Sequence, residues 1–207
     1  IKNTIETETT FGKTTTNKED DFETKVDKGN VTAIYIDEDG NNLAKNESST
    51  GLVGDNYTTE EKTIYGYTLK ETPPNATGTY TKEDITVEYI YTKNDGTIEE
   101  EATKTGDETL ANINDGVNYK IEYNATINDY VGPATVTVVD KLQYEIDEEK
   151  SNLDGGTYDS SKKTITWEET SNISEDNKDI QITKNIKLFY KNIDSDTIKN
   201  TIDTETT

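Results

Sequence analysis

The chain contains no cysteine, histidine, methionine or arginine. Without cysteine and histidine there is no thiolate nucleophile, no ordinary zinc site and no usual general base. An enzyme built from this chain would have to work with carboxylates, lysine and tyrosine. The missing cysteine also means that any covalent staple is something other than a disulfide. Apolar residues are scarce as well: 29% of the 207 residues are hydrophobic against 31% charged, which allows one or two domains with thin cores. No signal peptide and no apolar run long enough to span a membrane is present, so no membrane insertion is expected. Positive charge is outnumbered, with 21 lysines facing 43 acidic residues for a net charge of -22. Nucleic acid and anionic membranes are repelled by such a surface, which suits a soluble, self-avoiding extracellular chain.

What the sequence does have is repetition. Ile1 to Thr10 reads IKNTIETETT and Ile198 to Thr207 reads IKNTIDTETT, differing only at Glu6 versus Asp203. Such a match at a fixed offset marks one period of a tandem array. Residues 1–29 are therefore expected to be the end of a preceding repeat and a linker, with Phe11 to Asn30 a polar connector. In the second copy Ile198, Asn200 and Ile202 share one strand face, while Lys199, Thr201 and Asp203 share the other. An asparagine on an apolar face is expensive unless it is hydrogen-bonded or has a chemical purpose.

From Val31 the pattern is short alternating strands. VTAIYI leads into a DEDGNN turn, a second strand is expected near Leu43, and Ile85, Val87, Tyr89 and Tyr91 line one face of a clean closing strand. The runs VTAIYIDEDGNNLA, TGLVGDNYTTEEKTIYGYTLKE, NATGTYT and ITVEYIYTK resemble the mucin-binding-protein (MucBP) repeat of Gram-positive surface proteins. That resemblance implies a ubiquitin-like β-grasp domain over residues 30–93, found in cell-wall-anchored adhesins and in some members bound to mucin glycans. It carries no catalytic residue over.

Residues 94–207 read as all-β with longer strands at Val117–Ile127, Ala134–Leu142, Thr164–Glu168, Lys178–Lys191 and the C-terminal repeat. Val117, Tyr119, Ile121, Tyr123, Ala125 and Ile127 alternate with polar residues, the pattern of a half-buried sandwich strand. EATKTGDETL, VNYKIEYNATI, ATVTVVDKL, TITWEE and DTIKNTI are similar to the Ig-like CnaA/DUF11-type domains of Gram-positive adhesins and pilins, which implies a β-sandwich.

Strand parity puts three polar residues on inward faces: Lys104, Asp140 and Asn200. Parity alone leaves two readings. In one, Lys104 snorkels to solvent, Asp140 satisfies a turn and Asn200 bonds backbone. In the other, the three meet and react. The CnaA-type resemblance implies the second: an intramolecular isopeptide bond between Lys104 and Asn200, with Asp140 as the catalytic acid. Burial raises a carboxyl pKa and lowers a lysine pKa, so a neutral amine beside a neutral acid becomes accessible. Asp140 would then polarise the Asn200 carbonyl and shuttle protons as ammonia leaves. Lys141 and Lys199 point outward by parity, and an ester from a threonine to Gln143 or Gln181 is a lesser possibility.

Other features carry less. Asp37, Asp39 and Asn41 sit at alternate positions like calcium ligands, but the late bidentate glutamate of an EF-hand is missing and a hairpin turn explains them. Tyr57, Tyr65, Tyr67, Tyr80, Tyr89 and Tyr91 would stack sugars if exposed, though alternating strand tyrosines usually pack. Trp167 is expected in the core, Glu99 to Glu101 on a solvated face, and scattered carboxylates by themselves signal no glycosidase. The expectation is a structural stalk repeat of a Gram-positive cell-wall adhesin, extracellular, without cofactor or turnover chemistry. Adjacent repeats of the same chain, and mucin glycans or host extracellular matrix, are its expected partners. The alternative is a lectin-like module that itself binds mucin glycans.

Overall fold

The computed structural model describes residues 1–112 and 114–207, with the backbone alone at Thr14, and among these the regular structure is entirely β. Residues 1–64 and 68–92 group as one compact unit, and residues 65–67 with 93–207 as another.

The first unit opens with a hairpin of β1 (Lys2–Phe11) and β2 (Thr14–Glu23), paired antiparallel from Lys2↔Glu23 inward. Every side chain of β1 is exposed, with Ile5 at 65%. The strands β3 (Lys28–Asp37), β4 (Glu47–Leu52), β5 (Asn56–Thr58), β6 (Tyr67–Leu69), β7 (Thr77–Thr79) and β8 (Ile85–Lys93) follow. They form a four-stranded sheet in the order β4-β3-β8-β6 and a β5-β7 ribbon. The central pair β3 and β8 is parallel, aligning Val31↔Ile85 and Tyr35↔Tyr89. Val31, Ala33 and Tyr35 face the same core as Val87, Tyr89 and Tyr91, as the period-2 alternation dictates. Near Leu43 the structure differs from the sequence expectation. Only an isolated bridge, Ile36↔Asn42, forms there, and the strand proper begins at Glu47. Gly51 explains part of that register: it lies under the Tyr80 ring, where a Cβ would come within 2.3 Å of the ring carbon Cε2. Only a residue without a side chain admits that approach.

The second unit contains β9 (Thr97–Gly106), β10 (Val117–Asn128), β11 (Gly132–Leu142), β12 (Thr157–Asp159), β13 (Thr164–Ile173), β14 (Asp179–Leu188) and β15 (Asn200–Thr206). They form two sheets, β14-β10-β9 and β12-β13-β11-β15. One core contains residues of both: Ile121, Tyr123, Ile182 and Ile186 from the first sheet, Val136, Val138, Ile165 and Trp167 from the second. This is an Ig-like, two-sheet arrangement, in which inner faces supply the core and outer faces the charge. The Trp167 indole N–H donates to the carbonyls of Leu153 and Asp154, so its one polar atom is satisfied inside the core.

Candidate functional site

The inner faces of β9, β11 and β15 each bring a polar side chain, Lys104, Asp140 and Asn200, to one point. On β9, Lys104 lies opposite Ile121 of β10, which turns its stem inward. On β11, Asp140 continues the inward series of Val136 and Val138 and is fully buried. Asn200 lies opposite Leu142 at the start of β15, on the face that also presents Ile202 to the core. Lys104 therefore arrives from one sheet, and Asp140 and Asn200 from the other.

The Lys104 Nζ donates to Asp140 Oδ1 at 2.5 Å, with side-chain exposures of 10% and 0%. The Nδ2 of Asn200 donates to Asp140 Oδ2 at 3.3 Å, so one carboxyl group bridges the lysine nitrogen and the amide nitrogen. A second partner of Nδ2 is the hydroxyl of Tyr190, at 3.2 Å, which itself donates to the hydroxyl of Tyr119, also at 3.2 Å. The Lys104 Nζ sits 4.4 Å from the centre of the Tyr119 ring, within cation–π range. Among the described residues Asn200 Oδ1 is the one buried side-chain polar atom without a hydrogen-bond partner.

Burial dominates the electrostatics. It pushes the Lys104 ammonium below the usual lysine range, an effect that the Asp140 charge only partly offsets. It pushes the Asp140 carboxyl above the usual aspartate range, with Lys104 and Asn200 pulling the other way. Both shifts favour the same event, transfer of the lysine proton to the acid, which leaves a neutral amine beside a neutral carboxyl. Burial likewise holds the Tyr190 phenol well above its ordinary range, reinforced by Tyr119.

Parity thus located all three polar side chains, but not how they touch. The expected contact of a protonated Asp140 with the Asn200 carbonyl belongs to the reacting state; at rest the carboxyl faces the amide nitrogen and the carbonyl oxygen is unpartnered. Tyr190 and Tyr119 were not singled out as site residues. The signal was available, because Tyr119 belongs to the inward series of β10 and Tyr190 extends the inward parity of Ile186 and Leu188 on β14. A further network ties the same strands beyond the site. The Tyr123 hydroxyl, pushed up to about 12 by burial, donates to Glu100 Oε2 and pairs with Thr206 Oγ1, both at 2.7 Å.

The remaining candidates are bonded or packed otherwise. Lys141 is half exposed and ion-paired with Asp203, and Lys199, Gln143 and Gln181 are exposed. In the DEDGNN turn, Asp37 Oδ1 accepts the backbone N–H groups of Asp39 and Asn41 at 3.0 and 2.7 Å, and Oδ2 accepts Asn41 Nδ2 at 2.8 Å. The aspartate thus closes an Asx-type turn, with Asn41 as a donor to it. Among the described residues no group of three or more acidic side chains is arranged to hold a metal ion. Tyr57, Tyr80, Tyr89 and Tyr91 are buried, so their ring faces are taken up by packing, and Tyr65 and Tyr67 are half-buried. Tyr89 and Tyr91 spend their hydroxyls on Thr59 and the Lys62 backbone.

Comparison with known proteins gives two kinds of match. Residues 30–92 match the family model of the MucBP domain. Among curated proteins, the chain is 36% identical over 151 residues to Internalin J of Listeria monocytogenes serovar 1/2a, a match covering 72% of this chain and 17% of that protein. Internalin J of Listeria monocytogenes serotype 4b is 34% identical over 184 residues, covering 86% of this chain and 19% of the relative. Internalin I of serovar 1/2a is 38% identical over 66 residues, 32% of this chain and 4% of its own length. The chain thus spans less than a fifth of the length of the curated relatives it matches.

Proposed function

We propose that the chain is a structural repeat of a bacterial surface adhesin, and that its second unit welds itself with an amide between Lys104 and Asn200. The single observation that carries this reading is the buried carboxyl of Asp140, held at 2.5 Å from the lysine nitrogen and 3.3 Å from the asparagine nitrogen. An ion pair of ordinary purpose gains little from such burial, since desolvation costs as much as the attraction returns. A pair about to exchange a proton gains a nucleophile.

The chemistry is a transamidation. Once the Lys104 proton has passed to Asp140, the free amine attacks Asn200 Cγ, forming the Nζ–Cγ bond. The nitrogen sheds one proton to the carboxyl, the carboxyl returns one to Nδ2, the Cγ–Nδ2 bond breaks and ammonia departs. Asp140 ends protonated, keeping the proton that Lys104 first gave it, and the reaction runs once per molecule. Folding supplies the proximity that substrate binding supplies elsewhere. The two contacts of the carboxyl, Oδ1 with the lysine nitrogen and Oδ2 with the amide nitrogen, suit a shuttle between the entering and the leaving nitrogen.

The similarity of the second unit to CnaA/DUF11-type domains, and a β-grasp reading of the first unit with its parallel central pair, belong to the same proposal. So do an extracellular, cell-wall-anchored location on a Gram-positive bacterium and adjacent repeats of this chain as neighbours, with residues 1–10 serving a preceding repeat as β15 serves this one. Mucin glycans or host extracellular matrix are the partners such a stalk would present itself to, and the MucBP match at residues 30–92 supports the first. The burial of four of the six candidate tyrosines does not favour a lectin site built on them.

Intact mass tests the weld. The wild-type chain is expected to fall short of its sequence mass by one ammonia, and Asp140→Ala to restore the full mass and lower the melting temperature. A full-mass wild type would leave a hydrogen-bonded triad and nothing more.

A further inference from the structure

We infer that Tyr190 is a second catalytic group in this condensation, donating its hydroxyl hydrogen to the carbonyl oxygen of Asn200 as that oxygen gains charge. The inference rests on the crosslinking reading above and adds a residue to it.

The starting point is the unpartnered Asn200 Oδ1. A buried carbonyl without a donor is rare and calls for a reason. The reason lies in what faces the other edge of the amide. Asp140 Oδ2 at 3.3 Å and the Tyr190 oxygen at 3.2 Å both accept from Nδ2, and an ionised Asp140 has no hydrogen to give. With the lysine charged and the acid ionised, the amide must turn its nitrogen toward this pair. Transfer of the lysine proton reverses the requirement. Neutral Asp140 is a donor, and a phenol can be one. A half-turn of the amide about its Cβ–Cγ bond exchanges nitrogen and oxygen, which are nearly equal in size. Oδ1 then lies where Nδ2 was, facing two donors, and the orphan acceptor is relieved.

Tyr119 completes the arrangement as a positioning residue. At rest Tyr190 gives its hydrogen to the Tyr119 hydroxyl at 3.2 Å; when that hydrogen turns to Oδ1, the Tyr119 hydroxyl is placed to donate to the Tyr190 oxygen in return. The same Tyr119 ring lies under the Lys104 nitrogen. Burial keeps the Tyr190 phenol protonated across the neutral range, so the donor is always available.

In the reacting state Lys104 Nζ bonds to Asn200 Cγ, and the oxygen's charge is shared between the Asp140 O–H and the Tyr190 O–H. The nitrogen passes one proton to Asp140 Oδ1. Once Cγ is tetrahedral its oxygen and amide nitrogen are neighbours on one carbon, so the acid proton on Oδ2 passes from the oxygen it bonds to the nitrogen beside it, which leaves as ammonia. Tyr190 keeps its proton throughout.

Pulse-labelled cell-free synthesis of the full chain, quenched in denaturant at intervals and read by intact mass, follows the loss of ammonia in time. Tyr190→Phe keeps the ring and removes the donor, and is expected to slow conversion about 100-fold, the usual cost of losing one oxyanion donor. Conversion of Tyr190→Phe at the wild-type rate overturns the inference and leaves the crosslink standing. A wild type that never loses ammonia overturns both. If circular dichroism shows that Tyr190→Phe does not fold, Tyr119→Phe decides. It retains the Tyr190 hydroxyl and is expected to convert within about tenfold of the wild type, and a complete block there assigns the donor to Tyr119 and overturns the inference for Tyr190.

Discussion

A lysine and an aspartate in a sandwich interior are poor stabilisers but responsive ones. Asp140 holds its proton more tightly in the folded chain than in the unfolded one, so its contribution favours folding at low pH and fades as pH rises through its raised folded value. Lys104 behaves in the opposite sense. Its folded form gives up its proton more easily, so it penalises folding at neutral pH, and the penalty lifts as pH climbs toward the ordinary lysine value. Asn200→Ala keeps both groups and has no amide to join. Its stability is expected to dip between those two values and to rise toward alkaline pH, short of the range where tyrosines ionise. If the proposed weld forms, the wild type has no free amine at Lys104 and the alkaline rise should be absent. Urea unfolding from about pH 5 to about pH 9 measures both curves, and a rise of equal size in the two chains would mean that Lys104 stays free in each. At this scale the sequence was informative because strand parity is strict. Asp140 and Asn200 each interrupt an apolar series with period 2, and Lys104 shares its parity with Ala102 between outward threonines, which made them visible. The amide orientation and the two tyrosine hydroxyls were not visible, since hydrogen-bond partners across two sheets depend on how strands stack and not on their order in the chain.

The proposed amide would tie β9, the first strand of the second unit, to β15, its last. Restricting a loop of that length removes unfolded-state entropy worth about 4–5 kcal/mol if an amide acts as a disulfide does. Asp140→Ala should therefore lose more stability than the deletion of one buried hydrogen-bonding group explains. Amide hydrogen exchange offers a sharper view, because the effect has a location. In the wild type, β9 and β15 are both edge strands yet should exchange only with global opening, while in Asp140→Ala they should fray first. Equal protection of the two edges in both chains would remove the case for a tie between them. Strand positions in this unit were largely readable: the expected spans at residues 117–127 and 134–142 fall inside β10 and β11. The expected strand at residues 164–168 proved longer, reaching Ile173, because β13 keeps pairing with β11 as far as Gly132. The misplaced strand near Leu43 has a similar cause. Which residues join β3 is settled by antiparallel register at Glu47–Leu52 and by the close Tyr80–Gly51 contact, neither of which leaves a periodic mark.

At the scale of the whole chain, a net charge of -22 on 207 residues makes self-repulsion a general tax on compactness. Going from about 0.01 M to about 1 M salt shortens the screening length from about 30 Å to about 3 Å. The melting temperature of Asp140→Ala is expected to rise with it, and a fall would mean that its surface ion pairs outweigh the excess negative charge. The overall class was legible because alternation runs through nearly every segment and helix periodicity through none. The similarity to Internalin J runs over 151 residues in one strain and 184 in the other, longer than either unit by itself.

The hairpin at residues 2–23 shows what ten letters leave undetermined. β1 spells almost the same word as β15, yet one copy is wet on both faces and the other turns one half-buried face to the core. A protease should tell them apart at once: trypsin is expected to clip after Lys13, Lys18 and Lys25 and shed the leading ribbon, while the twin stretch at the far end stays uncut.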